Sequence, residues 1–368
     1  MCSFYSFTIS LSRAIERDYW PTEEWQGSTP HKQKMDGTRL DEMVEYIDEN
    51  SLPVDSITII RNGYIIFEEH FRASFPEFKH VVWSVTKSFT SAIFGIAFFE
   101  GYIEDVNSKV VDYFPEIEID DYSLGKENIT LANLLTMTAG FDWTDDINWM
   151  LMVSSENQID YILNLPMIFE PWSGWNYDTG GTHLLSAIIQ KAVGNTTLEY
   201  AKEKLFEPIG ISDYTWDLDN QGYYYGGHGI YMTPRDMARF GYLYLNNGMW
   251  DGEMIIHPDW VGNSTLPVID FSGGEGYGGL WWISYGDEYY AARGRHGQMI
   301  YVVPEHDIVA VVTAYFTPTE GGYIPDQLFE NYVLQAIEGP IDETSISFFL
   351  PLVVGIASLV VAEKKRKR

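Results

Sequence analysis

Cysteine is almost missing from the 368-residue chain: one, Cys2, is present. A single cysteine makes no intrachain disulfide, so packing has to hold the fold. It also excludes a cysteine-ligated zinc ribbon or iron–sulfur cluster. Basic residues are scarce as well, 23 against 53 acidic, for a net charge of −30. That balance excludes a nucleic-acid binder working through a broad basic surface. No Gly-x-Ser-x-Gly elbow, Walker A loop or His-Glu-x-x-His pair occurs, and the eight histidines are scattered, so no metal site is expected. Internal repeats and low-complexity tracts are absent too.

Apolar residues make up 45% of the chain and aromatics 15%, far too much buriable surface for a disordered acidic protein. At roughly 150 residues per domain, the length suits one large two-part unit or two domains. Charge is unevenly spread. Thr344 to Ala362 is uncharged and mostly apolar, and Lys364, Lys365, Arg366, Lys367 and Arg368 close the chain. At the helical rise such a stretch spans roughly 28 Å, so 344–362 is expected to be a transmembrane helix and 363–368 a basic cytoplasmic tail. The acidic body would then lie outside the cytoplasm. That orientation needs an export signal, which the serine-rich residues 1–12 supply poorly. Three Asn-x-Ser/Thr triplets, at Asn128, Asn195 and Asn263, are compatible with export.

Residues 1–37 read as a polar lead-in. Leu40, Met43, Val44 and Ile47 fall at helical spacing over 38–50. Ser56–Ile60 and Tyr64–Phe67 flank an Asn62-Gly63 turn, which predicts a β-hairpin. Val81-Val82-Trp83 runs into an amphipathic pattern from Ser84 to Phe99, with Gly101 as its stop signal. Helical patches follow at 131–137, 159–165, 182–193, 197–205 and 235–245, joined by long loops. Strand patterns return at 280–283, 289–293, 299–303 and 308–313, before a last helix over 324–337. Strands at both ends and helices between predict one sheet assembled from both ends, with a helical lobe over about 102–250. Gly274–Gly279 fits G-x-G-x-x-G, but an apolar strand follows where a dinucleotide site needs a helix, so it reads as a glycine-rich turn.

Ser-x-x-Lys occurs twice. Three residues along a helix bring a lysine amine beside a serine hydroxyl, and a desolvated amine of lowered pKa can take the hydroxyl proton. Ser123–Lys126 sits in a charged turn, DDYSLGKEN, where neither desolvation nor helical register is expected. Ser84–Lys87 opens an apolar helix, whose backbone N–H groups point at the hydroxyl. The bland alternative is Ser84 as an N-cap with Lys87 solvated in the first turn. Tyr177, in the loop EPWSGWNYDTGG, is the candidate third group, a phenol of lowered pKa relaying protons. Tyr244-Leu245-Asn246 lies inside an amphipathic helix and reads as structural. Arg293–Gln298 offers small residues on a strand edge with a cation nearby for an anionic group. The glycine-rich stretches 222–229 and 272–279 are candidate rims of the cleft.

These residues resemble the serine hydrolases related to class C β-lactamases, which include penicillin-binding carboxypeptidases, esterases and 6-aminohexanoate-oligomer hydrolases. Beyond Ser84–Lys87, the likeness rests on IIRNGYIIFEEHF (59–71), LLTMTAGFDW (134–143), FEPWSGWNYDTGGTHLLSAII (169–189), GIYMTPRDMARFGYLYLNNGMWDGEMI (229–255) and RGRHGQMIYVVPEHDIVAVVT (293–313). The resemblance implies a β-lactamase/transpeptidase-like α/β fold: an antiparallel sheet flanked by helices, with an inserted mostly helical domain, over residues 38–340. Ser84 would be the acylated nucleophile and Lys87 with Tyr177 the base pair. The backbone N–H groups of Ser84 and Gln298 would form the oxyanion hole, and Arg295, His296, Gly297 and Thr179 would contact substrate. No cofactor is implied. Thr179 stands where family members commonly have asparagine, which shifts weight from β-lactams toward other amides and esters. Arg295, in place of lysine or histidine, suits a substrate carboxylate. Three readings follow: a serine hydrolase acting on a small amide or ester, a membrane-anchored penicillin-binding-like sensor that acylates without turnover, and an inactive scaffold.

Overall fold

The Asp36 carboxylate accepts the Thr38 N–H and starts α1 (Gly37–Glu49), which buries Leu40, Met43 and Ile47 on one stripe. β1 (Val54–Arg61) and β2 (Tyr64–His70) follow as an antiparallel pair. Asn62 and Gly63 take φ of +52° and +85°, as the tightest hairpin turn demands. The computed structural model describes residues 17–286, 288–317 and 324–337.

Short β3 (His80–Val81) leads into α2 (Val85–Phe99), buried from Val85 to Ala97. The helical lobe then supplies α3 (Leu131–Thr136), α4 (Asp145–Ser154), α5 (Gln158–Leu163), α6 (Thr179–Val193) and α7 (Thr197–Ala201). Between them and the last third lie β4 (Thr215–Trp216), β5 (Ile230–Met232), α8 (Pro234–Leu245), the small hairpin β6 (Met249–Trp250) and β7 (Glu253–Met254), and α9 (Pro258–Ser264). The chain returns to the sheet through β8 (Ile269–Asp270), β9 (Glu275–Tyr277), β10 (Trp282–Ser284), β11 (Tyr289–Gly294), β12 (Gln298–Val303) and β13 (Ile308–Ala314), and α10 (Ile324–Leu328) starts the final helical segment.

The eight-stranded sheet has the order β2-β1-β13-β12-β11-β10-β9-β8, every neighbouring pair antiparallel. β1 lies on β13 with Ile59 opposite Ala310, so both ends of the chain meet inside one sheet. Alternation sorts the side chains. Ile60, Ile300, Val302, Val309 and Val311 face α2 and α8, while Ile59, Tyr301, Val303 and Ala310 face α1 and the C-terminal helical segment. A Cβ at Gly241 would sit 2.7 Å from Ile300 Cγ2 and Val309 Cγ1, so glycine lets α8 lie close on the sheet.

Three expectations need correction. The C-terminal anchor at 344–362 and its tail lie outside the described residues. Among the described residues no helix is long and apolar enough to cross a membrane. The fold class is therefore the α/β sheet with its helical lobe, without the membrane helix, and neither a single-pass anchor nor an extracytoplasmic body is supported. Second, α4 falls where only loop was expected, because its apolar residues Ile147, Met150 and Leu151 face outward. Third, Lys126 of the second Ser-x-x-Lys is buried, not solvated. Its amine is spent on the Leu165 carbonyl at 2.7 Å, and Leu124 and Gly125 break the helical register. The Gly274–Gly279 stretch holds β9 and leads into its antiparallel partner β10, with no helix between them.

Candidate active site

Trp83 has φ of +49°, a left-handed conformation that costs a large side chain about 1–2 kcal/mol. It turns the chain from β3 into α2 and presents Ser84 at the helix start. Ser84 makes no side-chain cap bond. Its Oγ instead accepts the Lys87 Nζ at 2.8 Å, one helical turn on, so Ser84 stands at the N-cap position without capping through its side chain. Lys87 is 1% exposed. Its amine also donates to Thr179 Oγ1 at 2.9 Å and to the Gly227 carbonyl at 3.0 Å. Burial pushes its pKa down to about 8, against the upward pull of Asp145 and Asp178.

The second wall comes from the start of α6. Asp178 caps that helix through the Gly181 N–H at 2.9 Å, fixing Tyr177 just outside it and Thr179 just inside. The Lys87 amine lies 4.7 Å from the Tyr177 ring centre, and Ser84 is near enough to the phenol to pull its pKa down against the larger upward push of burial. The three groups that the sequence joins do meet. The expected lowering of the phenol pKa does not occur: burial and the Asp145 carboxylate push it upward. Thr179 is buried and its hydroxyl is spent on Lys87, so it positions the amine more than it faces a ligand. The Asp178 carboxyl is pushed up to about 7, chiefly by burial, and its Oδ2 has no partner among the described residues.

The third wall is the turn between β11 and β12. A Cβ at Gly294 would meet the Val82 carbonyl at 2.3 Å, so this turn lies against the segment that carries Ser84. His296 has φ of +66°. Its Nδ1 bonds the Phe316 carbonyl at 2.7 Å, and its ring meets Trp83 edge-on at 5.5 Å and stacks on Tyr315 at 4.5 Å. Gly297 is buried, and Gln298 is anchored by Nε2 donating to the Ala314 carbonyl at 2.5 Å. Arg295 is exposed, and its guanidinium meets Asp146 of α4 at 2.9 Å across the cleft.

Sequence reasoning missed Asp145, Trp149 and Asp178, whereas Gly227 and His228 lie in the glycine-rich 222–229 stretch named as a candidate rim of the cleft. A Cβ at Gly227 would lie 2.6 Å from Thr179 Cγ2, so only glycine lets this segment reach Lys87. His228 Nε2 accepts the Trp149 indole N–H at 2.8 Å. Burial and the Lys87 charge push its pKa down to about 3, which keeps the imidazole neutral. Among the described residues no cluster of three or more His, Cys, Asp or Glu could hold a metal.

The pattern described as Beta-lactamase matches residues 40–329. The chain belongs to the beta-lactamase family. Among relatives, the 6-aminohexanoate-dimer hydrolase of Paenarthrobacter ureafaciens is 25% identical over 304 residues, covering 74% of this chain and 75% of that protein. A Bacillus anthracis structure assigned as a 6-aminohexanoate-dimer hydrolase superposes with a TM-score of 0.72 at 20% identity, covering 87% of this chain and 90% of that one. The octameric penicillin-binding protein homologue from Pyrococcus abyssi gives 0.66 at 23%, with 82% and 78% covered. This beta-lactamase family member is a serine hydrolase.

Proposed function

We propose that the enzyme cleaves a small amide or ester through an acyl-enzyme on Ser84. The observation carrying this reading is the buried Lys87 amine, bonded to Ser84 Oγ and with a pKa of about 8. A neutral amine at that position takes the hydroxyl proton as Ser84 attacks. Tyr177, held neutral by its raised pKa, then gives its phenolic proton to the leaving atom and is reprotonated by the Lys87 ammonium, so the proton taken from Ser84 ends on the leaving group and Lys87 is neutral again. In deacylation the same route runs in reverse, with water as the attacking group. The backbone N–H groups of Ser84 and Gln298 stabilise the tetrahedral oxyanion, a contribution of roughly 3 kcal/mol per donor. Arg295 holds a substrate carboxylate at the mouth of the cleft.

Pre-steady-state hydrolysis of a p-nitrophenyl ester tests the assignment. A burst stoichiometric with enzyme, followed by sustained turnover, is expected, and Ser84→Ala loses both. A stable adduct without turnover would instead establish a penicillin-binding-like sensor, and a covalent adduct on another residue would overturn the site.

A further inference from the structure

Around Tyr177 the cleft is walled by rings. Trp175, Phe271 and Trp282 are all half-buried and in mutual contact. Trp175 lies 4.7 Å from Phe271 and 6.2 Å from Trp282, and Trp282 stacks on Tyr177 at 6.0 Å with 29° between planes. Tyr277, fully buried, packs beneath at 5.1 Å from Trp282. The wall is braced from behind. Arg293 lies over the Trp282 ring at 5.3 Å and is itself held by Glu275 at 2.9 Å and Asp326 at 3.3 Å.

Rings fixed this way lose little freedom when a ligand arrives. Arg293, the cation over Trp282, is neutralised by two carboxylates, so among the described residues of this wall it does not select a charged group. The wall is continuous with Tyr177, whose ring lies 4.7 Å from the Lys87 amine that is bonded to Ser84 Oγ, so a group lying on it sits beside the bond being cut. We propose that Trp175, Phe271 and Trp282 form a subsite for an aromatic ring of the substrate, carried beside the scissile ester or amide. This deepens the acyl-enzyme reading and rests on it. Offset or edge-on stacking onto Phe271 and Trp175 supplies the preference, while Arg295 and Asp146 belong to the turn and helix across the cleft.

Three esters of similar intrinsic reactivity test it: ethyl acetate, benzyl acetate with the ring on the alcohol, and ethyl phenylacetate with the ring on the acyl group. In Phe271→Ala, kcat/KM for one ring-bearing ester relative to ethyl acetate should fall about tenfold from its wild-type ratio. Which ester responds identifies whether the ring is on the leaving or the acyl side. Phe271→Leu keeps the apolar volume without the ring, guards against a misfolded alanine variant, and should show the same loss. Unchanged ratios for both ring-bearing esters, with turnover still dependent on Ser84, would overturn the subsite. Turnover that survives Ser84→Ala would instead overturn the acyl-enzyme reading.

Discussion

Lys87 shows the conflict between stability and chemistry at a single residue. Its pKa in the fold is about 8, below the 10.4 or so of a free lysine. Activity needs the neutral amine, so kcat/KM should rise about tenfold per pH unit on the acid side and level off above about pH 8. Asp178 raises that pKa, so Asp178→Asn should move the acid limb to lower pH; a limb that stays in place would remove Asp178 from the proton network. Stability has its own sign. The folded chain binds fewer protons than the unfolded one between about pH 8 and 10.4, so stability rises through that window and the charged amine costs on the order of 3 kcal/mol below it. Lys87→Met should therefore be more resistant to urea than wild type at pH 7, with the gap closing by about pH 10.5. Tyr177 was singled out by its place in the loop just before α6, and the pairing of Ser84 with Lys87 was legible through local helical spacing. The direction of the phenol's shift was not, because burial and Asp145 come from elements distant in sequence.

Among the elements, α4, which contacts Arg295 and His228 at the site, was the least visible. Its sequence, DDINWMLMVS, buries only Met152, so no apolar stripe advertises it. Met152 in the core, with Trp149 and Val153 packed against it, seats the helix, and two polar contacts tie it to the cleft: Trp149 to His228 at 2.8 Å and Asp146 to Arg295 at 2.9 Å. The second contact joins side chains 45% and 73% exposed, a class of ion pair worth about 0–1 kcal/mol. Such a pair yields readily to a substrate carboxylate competing for the same guanidinium. Asp146→Asn should therefore lower KM for carboxylate-bearing esters several-fold while leaving neutral esters alone. Arg295→Ala should raise it and erase the effect of the Asp146 change in the double variant. Equal effects on neutral and charged esters would show that Arg295 serves α4, not substrate. Glycine hid β9 in a similar way: with Gly276 at its centre, the segment carries little strand propensity, and tertiary pairing with β8 and β10 makes the strand.

For the whole molecule, the sheet built from both chain ends was legible in the β-branched runs at 56–60 and 299–313, because alternation and turn chemistry are local signals. How the lead-in contributes was not legible, since its partners are hundreds of residues away. Arg17 donates to Asp307 in the turn between β12 and β13 through two bonds of 2.5 and 2.7 Å, and to Asn246 at the end of α8 at 2.8 Å. Its guanidinium also lies 4.9 Å from the Tyr242 ring centre. One side chain thus ties the lead-in to the helix and to the central strands. Both members of the ion pair are mostly buried, so removing the arginine leaves Asp307 uncompensated, a loss of about 3 kcal/mol or more. Arg17 touches none of Ser84, Lys87 and Tyr177. Arg17→Ala should therefore unfold at distinctly lower urea concentration while the folded fraction keeps wild-type kcat/KM. If kcat/KM fell with the urea midpoint unchanged, the lead-in would be acting on the cleft, and the separation between scaffold and chemistry drawn from these contacts would be wrong.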